Sequence, residues 1–188
     1  SGVFGGTDGQ GDDNTLLGFK AGYAITTGAD NVIAGSEAGV NLTTGLNSVL
    51  IGKDAGKNLT VGQQNIVIGA YALDAANTNT DKNYNIAIGA AALGAATHTT
   101  EHCVAVGHNA LALQTGDNVK NTAIGGLAGD AIVGGDRNTL LGYMSGSDLS
   151  GTDDNVCVGH MTMVNATGSC NTVVGSSAGS SNSNLTAT

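Results

Sequence analysis

The chain has 188 residues with 31 glycines, no proline, no tryptophan and a net charge of −9. Its six basic residues are too few for a phosphate-neutralising track, which excludes a nucleic-acid binder, and no apolar run approaches the ~18 residues of a membrane-spanning helix. With charged residues at 11% and aromatics at 3%, the surface must be covered by Asn, Thr, Ser and Gly, and the core must be too narrow for large rings.

Residues 1–11 read as a polar leader or linker. Asp8, Asp12 and Asp13 there lack both the Asp-x-Asp-x-Asp-Gly spacing and the bidentate Glu of a calcium loop. From residue 12 to 180 one unit repeats. A short apolar triplet ends in glycine at Gly18, Gly35, Gly52, Gly69, Gly89, Gly107, Gly125, Gly142, Gly159 and Gly175, at intervals of 17, 17, 17, 20, 18, 18, 17, 17 and 16 residues. Four residues before the glycine stands Asn14, Asn31, Asn65, Asn85, Asn121, Asn138, Asn155 or Asn171, with Ser48 and Cys103 in the two remaining units. Three residues after it stands alanine, replaced once by Ser145 and once by Thr162. A short fixed period predicts stacked units that each touch only their neighbours. Residues 181–188 read as a tail or linker to a further segment.

The triplets are rich in β-branched residues and too short for helix, so each is expected to be a strand. Both triplet faces are apolar. The expectation is that the outer positions, such as Ile66 and Ile68, fill the coil. The middle positions Leu16, Ile33, Leu50, Val67 and Val173 would then form an outward stripe that partner chains cover. A second, weaker strand is expected around Ile25, Leu42, Leu59, Leu113, Ile132, Leu149 or Val164, closed by turns such as Thr26-Thr27-Gly28. The sequence thus predicts an all-β β-solenoid of about ten 16–20-residue coils, stacked at ~4.8 Å into a rod roughly 45–50 Å long. The longer interval around residues 77–83 and the stretch 98–102 read as loops interrupting the period.

The units Asn47-Ser48-Val49-Leu50-Ile51-Gly52-Lys53-Asp54-Ala55 and Asn121-Thr122-Ala123-Ile124-Gly125 resemble the head repeats of trimeric autotransporter adhesins. The 17-residue form, Asn14-Thr15-Leu16-Leu17-Gly18-Phe19-Lys20-Ala21-Gly22-Tyr23 with its Thr-Thr-Gly turn, is still more similar to repeats of bacteriophage tail fibres. The resemblance implies a homotrimeric, left-handed parallel β-roll on a virion, or alternatively on a bacterial cell surface. It also implies attachment to a host-surface glycan or protein receptor, alongside other virion tail proteins. The adhesin pattern has a shorter period than this chain.

Few constellations suggest chemistry. His98-Thr99-Thr100-Glu101-His102 matches an inverted zinc-protease pattern, but its threonines and the following apolar triplet point to a loop rather than the helix that this chemistry requires. His98 and His102 are the candidates for a metal, a structural one shared between chains. His108 and His160 share one coil position, three coils and about 14 Å apart. Glu37 and Glu101 are the only glutamates and most Asp residues fall in turns, so no acid–base pair for a polysaccharide-cleaving tailspike is visible. Three cysteines at irregular spacing suggest no disulfide framework. The expected function is non-enzymatic attachment without a cofactor, with Asn79, Asp81, Lys82, His98 and His102 flanking a receptor-contact surface on the irregular loops.

Overall fold

The computed structural model describes residues 11, 13–75, 83–95, 101–116 and 119–180. Ten strands follow one another: β1 Thr15–Leu17, β2 Val32–Ala34, β3 Val49–Ile51, β4 Ile66–Ile68, β5 Ile86–Ile88, β6 Val104–Val106, β7 Thr122–Ile124, β8 Thr139–Leu141, β9 Val156–Val158 and β10 Thr172–Val174. They form a single parallel sheet in sequence order. Each triplet pairs with the next in register, as Leu50 does with Val67 and Ala87 with Ala105. The result is a β-solenoid. Each coil is numbered here by the strand that opens it.

Two expectations are corrected. First, the faces are reversed. The middle positions Ile33, Leu50, Val67, Ala87, Ala105, Ala123, Leu140 and Cys157 are fully buried, with Leu16 and Val173 packed against them at the two ends. The outer positions point to solvent: Ile66 is 40% and Ile68 36% exposed. Strand parity explains why. The buried Asn, the middle residue and the terminal glycine lie two residues apart and share one face, and that face is already committed inward by the Asn.

Second, no second strand follows among the described residues. The chain after the glycine runs through consecutive tight turns instead. In coil 3 the Ala55, Lys57 and Leu59 N–H groups donate to the Gly52, Asp54 and Gly56 carbonyls. Left-handed backbone makes this possible. The second residue after the glycine has φ between 52° and 60° in every coil, and the fourth between 46° and 64°. Extended strand cannot contain such residues, whereas a left-handed third position is what a type II turn requires. Between these turns the coils still bond to one another, Asp54 N–H to Ser36 O at 2.9 Å and Gly56 N–H to Ala72 O at 2.9 Å.

The terminal glycines hold φ between 132° and 144° and stack directly. A Cβ on Gly125 would lie 2.3 Å from the Gly142 carbonyl oxygen, so a side chain is excluded both by conformation and by space.

The recurrent Asn builds a ladder along the rod. Asn31 donates its backbone N–H and its Nδ2 to Asn14 Oδ1, both at 3.0 Å, and Nδ2 also reaches Gly45 O at 2.8 Å. The same arrangement joins Asn121, Asn138, Asn155 and Asn171. These side chains are buried and would cost free energy without partners. Here each carries a neighbouring coil's strand entry, so the sequence rule of one Asn per unit becomes a rule about stacking. Ser48 continues the ladder by accepting from Asn65 N–H at 3.2 Å. Cys103 instead directs its thiol to Val119 O, and burial pushes that thiol up to about 11.

The core is filled in two ways. In coils 1, 2, 3, 7 and 8 the fourth residue after the glycine is Gly22, Gly39, Gly56, Gly129 or Gly146, and the seventh is Ile25, Leu42, Leu59, Ile132 or Leu149. In coils 4, 5, 6 and 9 the fourth is Leu73, Leu93, Leu111 or Met163, all fully buried, and the seventh is alanine or Gln114. The two positions compete for one space. A Cβ on Gly129 would sit 2.9 Å from Ile132 Cδ1 and 2.7 Å from Leu140 Cδ1. The glycine coils all have 17 residues to the next glycine, while the others have 20, 18, 18 and 16. Once the fourth residue fills the core, the outer turn no longer has to return an apolar side chain to it, and its length is free to vary.

Candidate functional site

The outward sheet face is the first candidate. Its two ladders of outer strand positions hold only Val, Ile, Leu, Ala and Thr. Ten in-register strands make this strip about 43 Å long, with its two ladders about 7 Å apart. Ile51, Ile66, Ile68, Ile124 and Leu141 are all exposed on it. A continuous apolar strip of this size is at the upper end of what a monomer leaves in water.

Polar and aromatic columns flank the strip, set by single positions of the repeat. Just before each Asn, or before Cys103 in its place, stand Gln64, Tyr84, His102, Lys120, Arg137 and Asp154 in successive coils. There Tyr84 and His102 stack with ring centroids 4.9 Å apart. Two coils further on Arg137 grips Asp154 through Nε and Nη2, at 2.7 and 2.9 Å, and also contacts Asp136. The hydrogen bonds from Arg137 hold the Asp154 carboxyl below the usual range. Just after each glycine, Tyr143 stacks on His160 at 5.6 Å, and Lys53 Nζ donates to the Tyr71 hydroxyl at 2.7 Å. Lys57 sits between Glu37 and Asp54 at 2.7 and 3.0 Å; these partners raise its pKa. Every described aromatic side chain, Phe19, Tyr23, Tyr71, Tyr84 and Tyr143, is exposed.

The irregular coils add two grooves. One of about 490 Å³ is lined by Asp74, Ala91, Gly94, Ala95, Asn109, Ala112, Leu113 and Asp130. The other, of similar volume, is lined by Asp148, Ser150, Asn165, Ala166, Thr167 and Ser180. Both open beside coils whose seventh position carries no large apolar residue.

Of the residues expected at a receptor surface, Asn79, Asp81, Lys82 and His98 lie outside the described residues. His102 is exposed, has φ 60°, and donates its backbone N–H to Asn83 O at 3.3 Å. It belongs to the entry into β6 and is not in a helix, while His98, Thr99 and Thr100 of the inverted zinc-protease pattern lie outside the described residues. Among the described residues no three His, Cys, Asp or Glu side chains gather where they could hold a metal ion. His108 and His160 are both exposed at their shared coil position. All three cysteines are free, and burial pushes the Cys157 thiol up to about 12. Sequence reasoning missed the grooves. Their one legible trace was the coincidence of Leu or Met at the fourth position with an off-17 interval.

No protein-family model, curated protein or solved structure matches the chain.

Proposed function

We propose that the chain is a structural and receptor-binding segment of a virion fibre. In this reading it assembles as a homotrimer through its outward sheet face, contacts other tail proteins, and attaches the particle to a host-surface glycan or protein. The observation that carries the reading is the ten-strand, uncharged apolar face on a rod of coils with in-register strands. Such a face favours burial against copies of itself, and closed rotational symmetry satisfies it on every protomer. The resemblance of the 17-residue units to tail-fibre repeats supplies the setting, and avidity over three copies would turn weak single contacts into firm attachment.

Light scattering tests the assembly. The expected mass is three times the 18.4 kDa chain, and Ile66→Asp with Ile88→Asp on the outward face should yield folded monomers. Leu50→Asp, which charges the core, should instead unfold the coil. A monodisperse monomer at micromolar concentration overturns the assembly. A trimer that fails to compete with intact particles for host cells overturns the attachment role.

A further inference from the structure

The groove on coils 4 to 7 is a trough with a definite origin. Its floor is one column of the repeat, the fifth residue after the glycine. In coils 1 to 3 that column carries Tyr23, Val40 and Lys57; in coils 4 to 7 it reads Asp74, Gly94, Ala112 and Asp130. Two small residues therefore lie between two carboxylates. Asn109 and Leu113 line it from neighbouring columns, and Leu113 is half exposed. The floor is fixed by inter-coil bonds, Leu93 N–H to Ala110 O at 3.0 Å and Ala95 N–H to Ala112 O at 2.8 Å, so the trough exists before any ligand arrives.

We propose that this trough binds a neutral oligosaccharide laid along the rod axis. The proposal rests on the attachment reading and names the receptor class for it. Three coil spacings separate Asp74 from Asp130, about 14 Å. That is too far for both carboxylates to hold one cation, and it matches an extended chain of sugar rings with hydroxyls to donate at each end. Asp130 lines the trough, and its Oδ1 accepts from Ser147 Oγ at 2.6 Å, which fixes the carboxylate. The apolar floor and Leu113 suit the C–H face of a pyranose, and the Asn109 amide supplies both a donor and an acceptor. Among the described residues no Lys or Arg lines the trough, and the chain carries a net charge of −9, so acidic sugars are disfavoured. The volume of about 490 Å³ falls within the range of small-ligand sites.

Ligand-observed saturation-transfer NMR on the assembled protein tests this with maltotriose, cellotriose and tri-N-acetylchitotriose, and with spermidine as the cationic probe. At least one trisaccharide should bind saturably in the micromolar-to-millimolar range. Ala112→Lys places in the trough the residue type that coil 3 already carries in that column, and should abolish binding with the melting transition unchanged. Asp130→Asn should weaken binding about tenfold, a loss of about 1.4 kcal/mol. Ser150→Lys, in the other groove, should leave binding as it was. No saturable binding of any trisaccharide, binding that survives Ala112→Lys, or binding of spermidine alone overturns the proposal. Competition for host cells reads the attachment role separately. A wild-type assembly that competes but binds no sugar removes the trough and keeps the fibre, and sugar binding without competition does the reverse.

Discussion

Coils 7 and 8 and coils 4 to 6 share one strand geometry, and all but coil 6 share the Asn that enters it, yet the two groups differ in what closes the core. In the first pair a glycine makes a space that Ile132 or Leu149 fills from the outer turn. In the second group Leu73, Leu93 or Leu111 fills it directly, from a residue with the same left-handed φ. The first solution ties the outer turn to the core and fixes the coil at 17 residues. The second releases the turn, and the released coils are the ones with loops of other lengths and with grooves. Variation in this rod is therefore confined to places where a single core substitution has made it inexpensive. Binding surfaces are most readily built in the same places.

The largest expected effect comes from forcing one solution onto the other. Gly129→Leu keeps Ile132 in place and overfills coil 7, since the new Cβ alone would lie within 3.0 Å of Leu111, Ile132 and Leu140 side-chain atoms. With the left-handed backbone added, the loss should be about 2–4 kcal/mol. Ile132→Gly alone should cost about 2–5 kcal/mol through its cavity. The double variant fills the core from the fourth position, as Leu73, Leu93 and Leu111 do, and should recover at least about 2 kcal/mol relative to the sum. Chemical denaturation of the four proteins measures this coupling. Additive losses would mean that the two positions do not share a space.

The sequence made the coil count, the parallel register and the small buried positions legible, because each follows from strict repetition. It misled on the faces. Both triplet faces are apolar, so hydrophobicity alone does not choose between them; the deciding signal was parity: Asn65, Val67 and Gly69 alternate inward together, and three middle positions, Ala87, Ala105 and Ala123, are small as a crowded interior demands. It misled again on the second strand, because left-handed residues such as Glu37, Tyr71 and Leu93 are ordinary residue types held there by stacking. Nothing in a single unit reveals that stacking. The grooves depend on columns running across coils, so they are visible only once the register is known.

An insertion separates the two coil types with a smaller effect. One glycine added after Ala131 displaces Ile132 from the core of coil 7 and should cost about 1–3 kcal/mol. One glycine added after Thr115 lengthens a coil whose core Leu111 already fills, and should change stability by no more than about 0.5 kcal/mol. Thermal unfolding compares them, and equal losses would break the distinction between tied and released turns.

The smallest effect concerns the column before the Asn, where the same position carries a ring stack at the end of coils 4 and 5 and an ion pair at the end of coils 7 and 8. Arg137 lowers the Asp154 carboxyl first through its hydrogen bonds and then through its charge. A carboxyl lowered on folding stabilises the folded state above its unfolded pKa, and that contribution fades as pH falls through the lower folded value. Both side chains are exposed, so solvent and salt screen the pair and the melting temperature should hardly register it. The titration itself should. In Arg137→Gln, Asp154 should titrate close to the ordinary 3.8, followed through its carboxyl carbon by NMR, and added salt should shift the wild-type value upward in the same direction. The Tyr84–His102 pair has no carboxylate partner in its stack, so Tyr84→Phe should leave acid titration between pH 2 and 5 unchanged. An Asp154 titration unmoved by the loss of Arg137 would mean that the ion pair does not form in solution, and that the difference between the two stretches of this column lies only in shape.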